Sequence, residues 1–161
     1  MNRSYSDQAE VDCMEVKVEG FGKGSQIPVE YTCDGEDRMP AIAVEGFPSG
    51  TKSLALIVDD PDAPSGLFTH CIIYNIPTSV KVIDSSILKQ TGVLSGVNDF
   101  GNKGYGGPCP PPGKPHRYYF KVLALDTTLT KAGMKRKDFD NAVRGHVLGQ
   151  AEYMGTYLRK H

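Results

Sequence analysis

Hydrophobic residues occur along most of this chain in short runs separated by glycine- and proline-rich turns, a pattern typical of β-strands. The run at residues 53–58 is almost entirely apolar, which predicts a strand buried in the centre of a sheet. The run at residues 13–21 alternates hydrophobic and polar positions, as a half-buried strand does. The runs that predict strands are residues 13–21, 29–33, 41–44, 53–58, 71–76 and 118–125.

The period changes from Arg136 onward, where apolar residues recur at intervals of three and four, as on one face of a helix. Asp138 is the predicted N-cap, and Gly145 divides the region into two predicted helices. His146 falls in this helical context, where we expect a packing or capping role. The positions that carry the helical pattern are Phe139, Ala142, Val143, Val147, Ala151, Met154 and Leu158.

Together these elements predict a mostly β protein, an antiparallel β-sandwich with Greek-key-like connections and short C-terminal helices. A chain of 161 residues without an internal repeat is expected to form one domain. We assign this domain to residues 13–161 and expect the polar residues 1–12 to form a flexible segment. The 18 glycines and 11 prolines fit a fold with many tight turns.

Charge and hydropathy exclude several classes of partner. The formal net charge of -1 provides no basic field for nucleic acid or an anionic membrane surface. The first twelve residues lack the apolar stretch of a secretory signal, and the longest apolar run, 54–58, is too short to cross a bilayer. The sequence therefore predicts a cytoplasmic protein with no nucleic-acid partner, no stable membrane insertion and no cofactor.

The cysteines leave two interpretations open. Cys13, Cys33, Cys71 and Cys109 contain no Cys-x-x-Cys pair, so neither a zinc knuckle nor a thioredoxin-type site is indicated. One interpretation is four reduced thiols that are mostly buried. The other is a disulfide between Cys33 and Cys109, since both lie in turn-rich segments.

Polar side chains cluster at the ends of three predicted strands. Asp60 and Asp62 follow the strand that ends near residue 58, and His70 precedes the strand that begins near residue 71. If these two strands are antiparallel neighbours, their connection lies at one end of the sheet. His116 stands directly before another strand, so all four side chains are expected to converge on one rim. Loops held by a rigid scaffold are where binding sites usually lie.

Two segments match the signature motifs of a known family. The first is residues 53–64, a strand followed by the sequence DPDAP; the second is the Gly/Pro-rich run at residues 105–118, which ends in His-Arg-Tyr. Through these motifs the chain resembles the phosphatidylethanolamine-binding protein family, also called Raf-kinase-inhibitor-like proteins, in particular its bacterial and archaeal branch. The resemblance extends over about residues 14–158.

The resemblance implies a β-sandwich with a small anion-binding pocket at one end. It implies a phosphorylated or anionic ligand, such as a phosphoethanolamine head group, and a regulatory or inhibitory role toward a kinase or protease partner. It also implies a homodimer, as in several bacterial relatives. The residues that match the family's pocket are Asp60, Asp62, His70, Gly107, His116 and Tyr118.

The residue types in this set suit an anion. The imidazoles of His70 and His116 donate hydrogen bonds that become charge-assisted on protonation, and the Tyr118 hydroxyl is a further donor. Backbone N–H groups around Gly106 and Gly107 are expected to approach the ligand closely, because glycine has no Cβ.

The carboxylates require separate roles, because a carboxylate repels phosphate. We expect Asp60 to hold a histidine by a hydrogen bond and so fix its tautomer. Asp62 either caps its own loop or contacts the ligand. Arg117 is expected to form a salt bridge under the pocket loop, and the prolines between residues 108 and 115 to stiffen that loop.

Two enzymatic hypotheses compete with this non-enzymatic binding module. A metal-dependent hydrolase would use the two aspartates and two histidines of the rim as ligands, although the sequence has no His-x-His or His-Glu-x-x-His spacing. A cysteine-nucleophile enzyme would use Cys109 or Cys71 beside a histidine. Cys71 directly follows His70, and neighbours on a regular strand point to opposite faces, which favours Cys109 of the two.

Overall fold

Two antiparallel β-sheets form most of the computed structural model, which describes residues 14–160. In chain order the strands are β1 (Glu15–Val18), β2 (Ile42–Glu45), β3 (Ser53–Asp60), β4 (Phe68–Ile76), β5 (Val82–Ile83), β6 (Leu94–Ser95), β7 (His116–Leu125) and β8 (Val147–Tyr157), and the helix α1 is Arg136–Val143. The smaller sheet has the order β1-β2-β5 and the larger sheet the order β6-β4-β3-β7-β8. The predicted antiparallel β-sandwich is confirmed.

β3 lies in the centre of the larger sheet and is buried along its whole length. Its side chains alternate between two hydrophobic cores, as the period of a strand requires. Leu54, Leu56 and Val58 belong to the core between the sheets, whereas Ala55 and Ile57 belong to a second core beneath α1. The predicted central strand is therefore confirmed, and the alternation determines where the polar residues after it point.

The prediction of a strand at residues 29–33 was wrong. Val29–Tyr31 form a 3-10 helix that follows Pro28, and the Thr32 hydroxyl donates to the Val29 carbonyl at 2.8 Å. The Tyr31 N–H also bonds locally, to the Pro28 carbonyl at 3.1 Å. These backbone groups are satisfied within the turn, so the segment needs no neighbouring strand.

The second predicted C-terminal helix is in fact β8. Gly145, at φ 84°, ends the segment after α1, as predicted, but the chain then runs antiparallel to β7 from Val147 to Tyr157. A Cβ at Gly155 would lie 2.4 Å from the Phe21 ring, so packing against this strand also requires a glycine there. Apolar residues on a half-buried strand happened to coincide with helical spacing, and the long-range pairing with β7 determined the structure.

Two smaller expectations also change. Lys135 occupies the N-cap position of α1 without a side-chain cap, and Asp138 lies in the first turn, where its charge favours the helix dipole. His146 lies between α1 and β8 rather than in a helix, and its Nδ1 is 2.8 Å from Asp126 Oδ1. The predicted flexible segment 1–12 and Cys13 lie outside the described residues, and the single-domain assignment stays a prediction.

Candidate functional site

The predicted convergence of polar side chains on one rim is observed at one end of the larger sheet. β3 ends there with Asp60, β4 begins there two residues before His70, and β7 begins there with His116. These side chains line a cavity of about 240 Å³. The residues that line it are Asp60, Ala63, Pro64, Ser65, Phe68, His70, Phe100, Cys109, Pro110, Pro111, His116 and Tyr118.

Strand alternation places two of these side chains, and a β-bulge places a third. His116 and Tyr118 lie on the same face of β7 as Phe120 of the inter-sheet core. Between β3 and β4 the register shifts, with Val58 paired to Cys71 and the next pair formed by Asp59 and Thr69. His70 is the extra residue at this bulge, which turns its ring toward Tyr118, at 5.3 Å between centroids.

The bulge corrects one step of the sequence argument. Regular alternation predicted that His70 and Cys71 point to opposite faces of the strand. In the structure Cys71 belongs to the inter-sheet core and His70 lines the pocket on that same side of the sheet. A bulge gives no signal in the hydrophobic pattern, so the sequence could not predict it.

His116 is held by Asp60, as expected. Its Nδ1 lies 2.7 Å from Asp60 Oδ2, and both side chains are almost fully buried. Because a carboxylate only accepts, Nδ1 carries the hydrogen and donates. Asp60 Oδ1 accepts the Asp62 backbone N–H at 2.7 Å, which fixes the carboxylate. Among residues 14–160 the His116 side chain makes no other hydrogen bond, which leaves its Nε2 atom free on a residue that lines the cavity.

His70 is held in the same way, but by a neutral group. Its Nδ1 lies 2.7 Å from the Gly106 carbonyl oxygen, which also only accepts, so Nδ1 again carries the hydrogen. Burial lowers the pKa of His70, although the bond to Gly106 and the nearby Asp60 oppose the shift. His70 is therefore neutral at neutral pH, with a lone pair on Nε2.

Tyr118 completes the polar floor of the pocket. Its ring lies 5.3 Å from that of His70 and 6.4 Å from that of His116 between centroids. Within the described part of the chain, its buried hydroxyl has no hydrogen-bond partner of acceptable geometry. Burial, with the Asp60 charge adding to it, raises the pKa of Tyr118, so the hydroxyl keeps its proton and is available as a donor.

An apolar wall surrounds the polar floor. The Phe68 and Phe100 rings pack edge to face at 4.8 Å, and each contacts the His70 ring, at 4.9 Å and 5.3 Å between centroids. Phe100 is also 45% exposed, which is unusual for so large an apolar side chain. Sequence reasoning missed both phenylalanines, because neither lies within the two motifs that identified the pocket.

Asp62 lies outside the pocket lining. Both of its carboxylate oxygens accept from Arg117: Nε donates to Oδ2 at 2.9 Å and the second guanidinium nitrogen to Oδ1 at 2.8 Å. These bonds lower the pKa of Asp62 to about 2. The salt bridge expected of Arg117 is therefore present, and the loop cap expected of Asp62 is supplied by Asp60 instead.

Gly107 has a different role from the expected one. Its N–H donates to Asp37 Oδ1 at 2.8 Å, and the Gly106 N–H donates to the His70 carbonyl at 2.9 Å. The expectation that these two N–H groups point at a ligand was therefore wrong. A Cβ at Gly107 would lie 2.2 Å from the Tyr31 carbonyl oxygen, so close packing of two backbones explains this glycine.

The cysteines follow the second interpretation. Cys33 and Cys109 form a disulfide, so the interpretation of four reduced thiols was wrong and Cys109 has no thiol to act as a nucleophile. Cys71 is free but fully buried, and burial raises the pKa of its thiol, which keeps it protonated and inert.

The rim carboxylates and imidazoles are not arranged as metal ligands. Among residues 14–160, no group of three or more His, Cys, Asp or Glu side chains has the geometry to hold a metal ion. The bond between Asp62 and Arg117 and the bond between Asp60 and His116 direct the two carboxylates to other partners. In the same range, no helix has the length and hydrophobicity needed to cross a bilayer.

The buried neutral His70 predicts an acid-dependent loss of stability. In the unfolded chain the His70 side chain binds a proton near pH 6.5, whereas in the folded chain it does so only at a lower pH. The unfolded state therefore holds more protons between these two values, and the free energy of unfolding falls as the pH decreases below 6.5. His70→Gln should make urea-unfolding curves less pH-dependent between pH 7 and pH 5.

The control is His146→Gln, at an exposed histidine, which should leave the pH dependence of stability unchanged. An equal effect of both variants would contradict the assignment.

Comparison with known proteins agrees with the motifs. Residues 17–158 match the family model described as phosphatidylethanolamine-binding protein. The chain is 47% identical over 152 residues to a UPF0098 protein of Aquifex aeolicus, covering 91% of this chain and 89% of that protein. It is 46% identical over 155 residues to a UPF0098 protein of Pyrococcus horikoshii, covering 91% of this chain and 78% of that protein.

Two solved structures share the fold. A putative phosphatidylethanolamine-binding protein homolog from Chlamydia trachomatis has a TM-score of 0.84 and 36% identity, covering 92% of this chain and 99% of that chain. YbcL of E. coli, described as a new member of the mammalian PEBP family, has a TM-score of 0.85 and 32% identity, covering 91% of this chain and 99% of that chain. The matched region includes every residue of the pocket.

Proposed function

Because the chain belongs to the phosphatidylethanolamine-binding protein family, we propose that its pocket binds a small anion of the phosphate type, such as a phosphate monoester or a head group that contains one. The observation that best supports this is a cluster of polar atoms without protein partners among residues 14–160. These atoms are Nε2 of His70 and Nε2 of His116, since each side chain bonds through Nδ1 alone, and the buried hydroxyl of Tyr118. A ligand that bonds to them removes the penalty of unsatisfied polar groups in a mostly apolar cavity.

His116 is the residue best placed to meet a negative charge. Asp60 accepts from Nδ1, so protonation at Nε2 creates an imidazolium whose charge the carboxylate balances. The pair then presents an N–H donor to the cavity while remaining neutral as a unit. A charge-assisted bond from such a donor to a phosphate oxygen contributes roughly 1.5–3 kcal/mol.

His70 makes the pocket sensitive to the protonation of the ligand. In its neutral form the Nε2 lone pair accepts a hydrogen bond and repels a fully ionised oxygen. A phosphate monoester still carries one proton below its second pKa, near 6, so its hydroxyl can donate to Nε2. Sulfate carries no proton in this range and needs a protonated His70.

This difference gives a pH prediction. Sulfate affinity should rise by up to about tenfold for each unit between pH 8 and pH 6, as the protonated fraction of His70 grows. Phosphate affinity should level off below about pH 6, where most of the ligand carries the proton itself, whereas sulfate affinity should keep rising. Isothermal titration of both anions at several pH values measures the effect. If the sulfate affinity of the unmodified protein depends on pH no more than that of the His70→Gln variant, the role assigned to His70 is contradicted.

Parallel titrations decide between this proposal and the hydrolase hypothesis. O-phosphoethanolamine and inorganic phosphate are expected to give saturable heat without added metal. Heat that appears only with Mg²⁺ or Zn²⁺ would support the metal-dependent hydrolase instead. A kinase or protease partner, a homodimer and a cytoplasmic location stay predictions.

A further inference from the structure

The Cys33–Cys109 disulfide is part of the pocket wall. Cys109 lines the cavity together with Pro110 and Pro111, and the bond joins this wall to a turn 76 residues earlier in the chain. Both cysteines are partly exposed to solvent. The pocket function proposed above makes no use of the disulfide.

In the loop that forms this wall, residues 105–115, the disulfide at Cys109 is the last bond to another part of the chain before β7 begins. On its N-terminal side the wall is held by hydrogen bonds, including Cys33 N–H to the Pro108 carbonyl at 3.1 Å and the Tyr105 hydroxyl to the Tyr31 carbonyl at 2.7 Å. Residues 110–115 make no hydrogen bond or ion pair to any other residue that the structure describes. Pro110 is buried and so is also held by packing, whereas the exposed residues that follow it are bonded to the fold only at the disulfide on one side and at His116 of β7 on the other.

An arginine lies beside one of the two sulfur atoms. A guanidinium nitrogen of Arg159 is 3.6 Å from Cys109 Sγ, and Arg159 Nε is 3.1 Å from Asp34 Oδ1, which orients the side chain. A cation at this distance stabilises a thiolate more than a thiol. Cys109 is thus the better leaving group of the two when the disulfide is attacked.

We propose that Cys33–Cys109 is a thiol–disulfide exchange site for a low-molecular-weight thiol, and that its reduction weakens anion binding in the adjoining pocket. The thiolate of the small molecule attacks Cys33 Sγ and forms a mixed disulfide. The bond between the two protein sulfur atoms breaks, and its electron pair leaves on Cys109 Sγ as a thiolate beside Arg159. A second small thiolate then attacks the small molecule's own sulfur, which releases Cys33 as a thiolate that takes a proton from water. Two small thiols are oxidised to one disulfide, and the protein gains two electrons.

Reduction affects the pocket in two ways, and this part of the inference rests on the proposed anion binding. The Cys109 thiolate adds a negative charge to the wall of an anion pocket, which repels the ligand. Residues 110–115 lose their nearest covalent tether, so ordering them when the ligand binds costs more conformational entropy.

The first test is titration with inorganic phosphate before and after treatment with reduced glutathione. We expect affinity to fall severalfold on reduction and to return on reoxidation. The variant Cys33→Ser/Cys109→Ser releases the wall without the added charge, so it should bind with intermediate affinity and not respond to glutathione. Equal affinity of the oxidised and reduced protein overturns the regulatory part, whereas absence of binding in the oxidised protein overturns the proposed function instead.

The second test measures exchange itself and does not depend on anion binding. Free thiols are trapped by alkylation during reduction with glutathione, and mass spectrometry of peptides reports Cys33 and Cys109 separately. Arg159→Gln should slow reduction severalfold, and Arg144→Gln, at an exposed arginine that bonds to Asn141, should not. Equal rates in both variants, or reduction only in urea that unfolds the protein, would overturn the exchange site.

Discussion

Replacement of His116 by alanine is expected to weaken phosphate binding by about ten- to a hundredfold, which corresponds to roughly 1.5–3 kcal/mol for one charge-assisted hydrogen bond. The variant removes the Nε2 donor and leaves Asp60 buried without its partner. The pocket then presents a carboxylate that nothing balances, which adds repulsion to the lost bond. Isothermal titration with inorganic phosphate measures the change.

A matched control for this variant exists on the protein surface. His146 forms a similar bond to Asp126, with Nδ1 2.8 Å from Oδ1, but both side chains are more than a third exposed. His146→Ala should leave phosphate affinity unchanged. A thermal melt of His116→Ala must first show that the variant folds. If both histidine variants bind as tightly as the unmodified protein, the pocket assignment fails.

The second large effect concerns stability and lies on the opposite face of the sheet. Asp59 follows the alternation of Ala55 and Ile57, so its buried side chain points toward the α1 side. There Arg136, the first residue of α1, pairs with Asp59 and donates to the Thr69 hydroxyl at 3.1 Å. The ion pair joins the helix to the centre of the sheet.

Arg136→Leu should therefore lower the free energy of unfolding by about 3–5 kcal/mol, because it leaves a charge buried beside only Lys121, whose Nζ is 3.4 Å away. The melting temperature should fall by roughly 6–20 °C. Adding Asp59→Asn to this variant removes the buried charge that has lost its main partner and should restore much of the loss. Differential scanning calorimetry of the two single variants and the double variant measures the coupling.

Arg144→Leu is the control for the loss of an arginine near the same helix. Arg144 bonds only to Asn141 and is exposed, so its replacement should change stability by less than about 0.5 kcal/mol. If Arg136→Leu is no worse than Arg144→Leu, or if Asp59→Asn makes the double variant still less stable, the buried pair does not have the role assigned to it.

The rim of the pocket could be predicted from the sequence because it depends on local patterns. The apolar run at residues 53–58 identified β3, and a strand that leaves a sheet at one end must place Asp60 there. His70 and His116 lie at the starts of β4 and β7, the two neighbours of β3 in the larger sheet, so antiparallel pairing brings all three side chains to that end. The motifs identified the residue types, and the pairing of the strands placed these side chains at the same end of the sheet.

What could not be predicted depends on contacts between distant parts of the chain. β8 has helical spacing in its sequence and became a strand because β7 offered a long edge to pair with. The role of Gly107 depends on Tyr31 and Asp37, which lie some seventy residues away. The disulfide between Cys33 and Cys109 is similar, since two turn-rich segments do not reveal which sulfur atoms meet.

Nitrogen-15 NMR of the histidine side chains, recorded while inorganic phosphate is added, tests the anion pocket most directly. Nδ1 of His70 and of His116 already donates within the protein, so only Nε2 remains for the ligand. The account predicts that the Nε2 signals of His70 and His116 move toward the protonated position as phosphate saturates the site, while those of His146 stay in place. Unchanged Nε2 signals of both pocket histidines at saturating phosphate would contradict it.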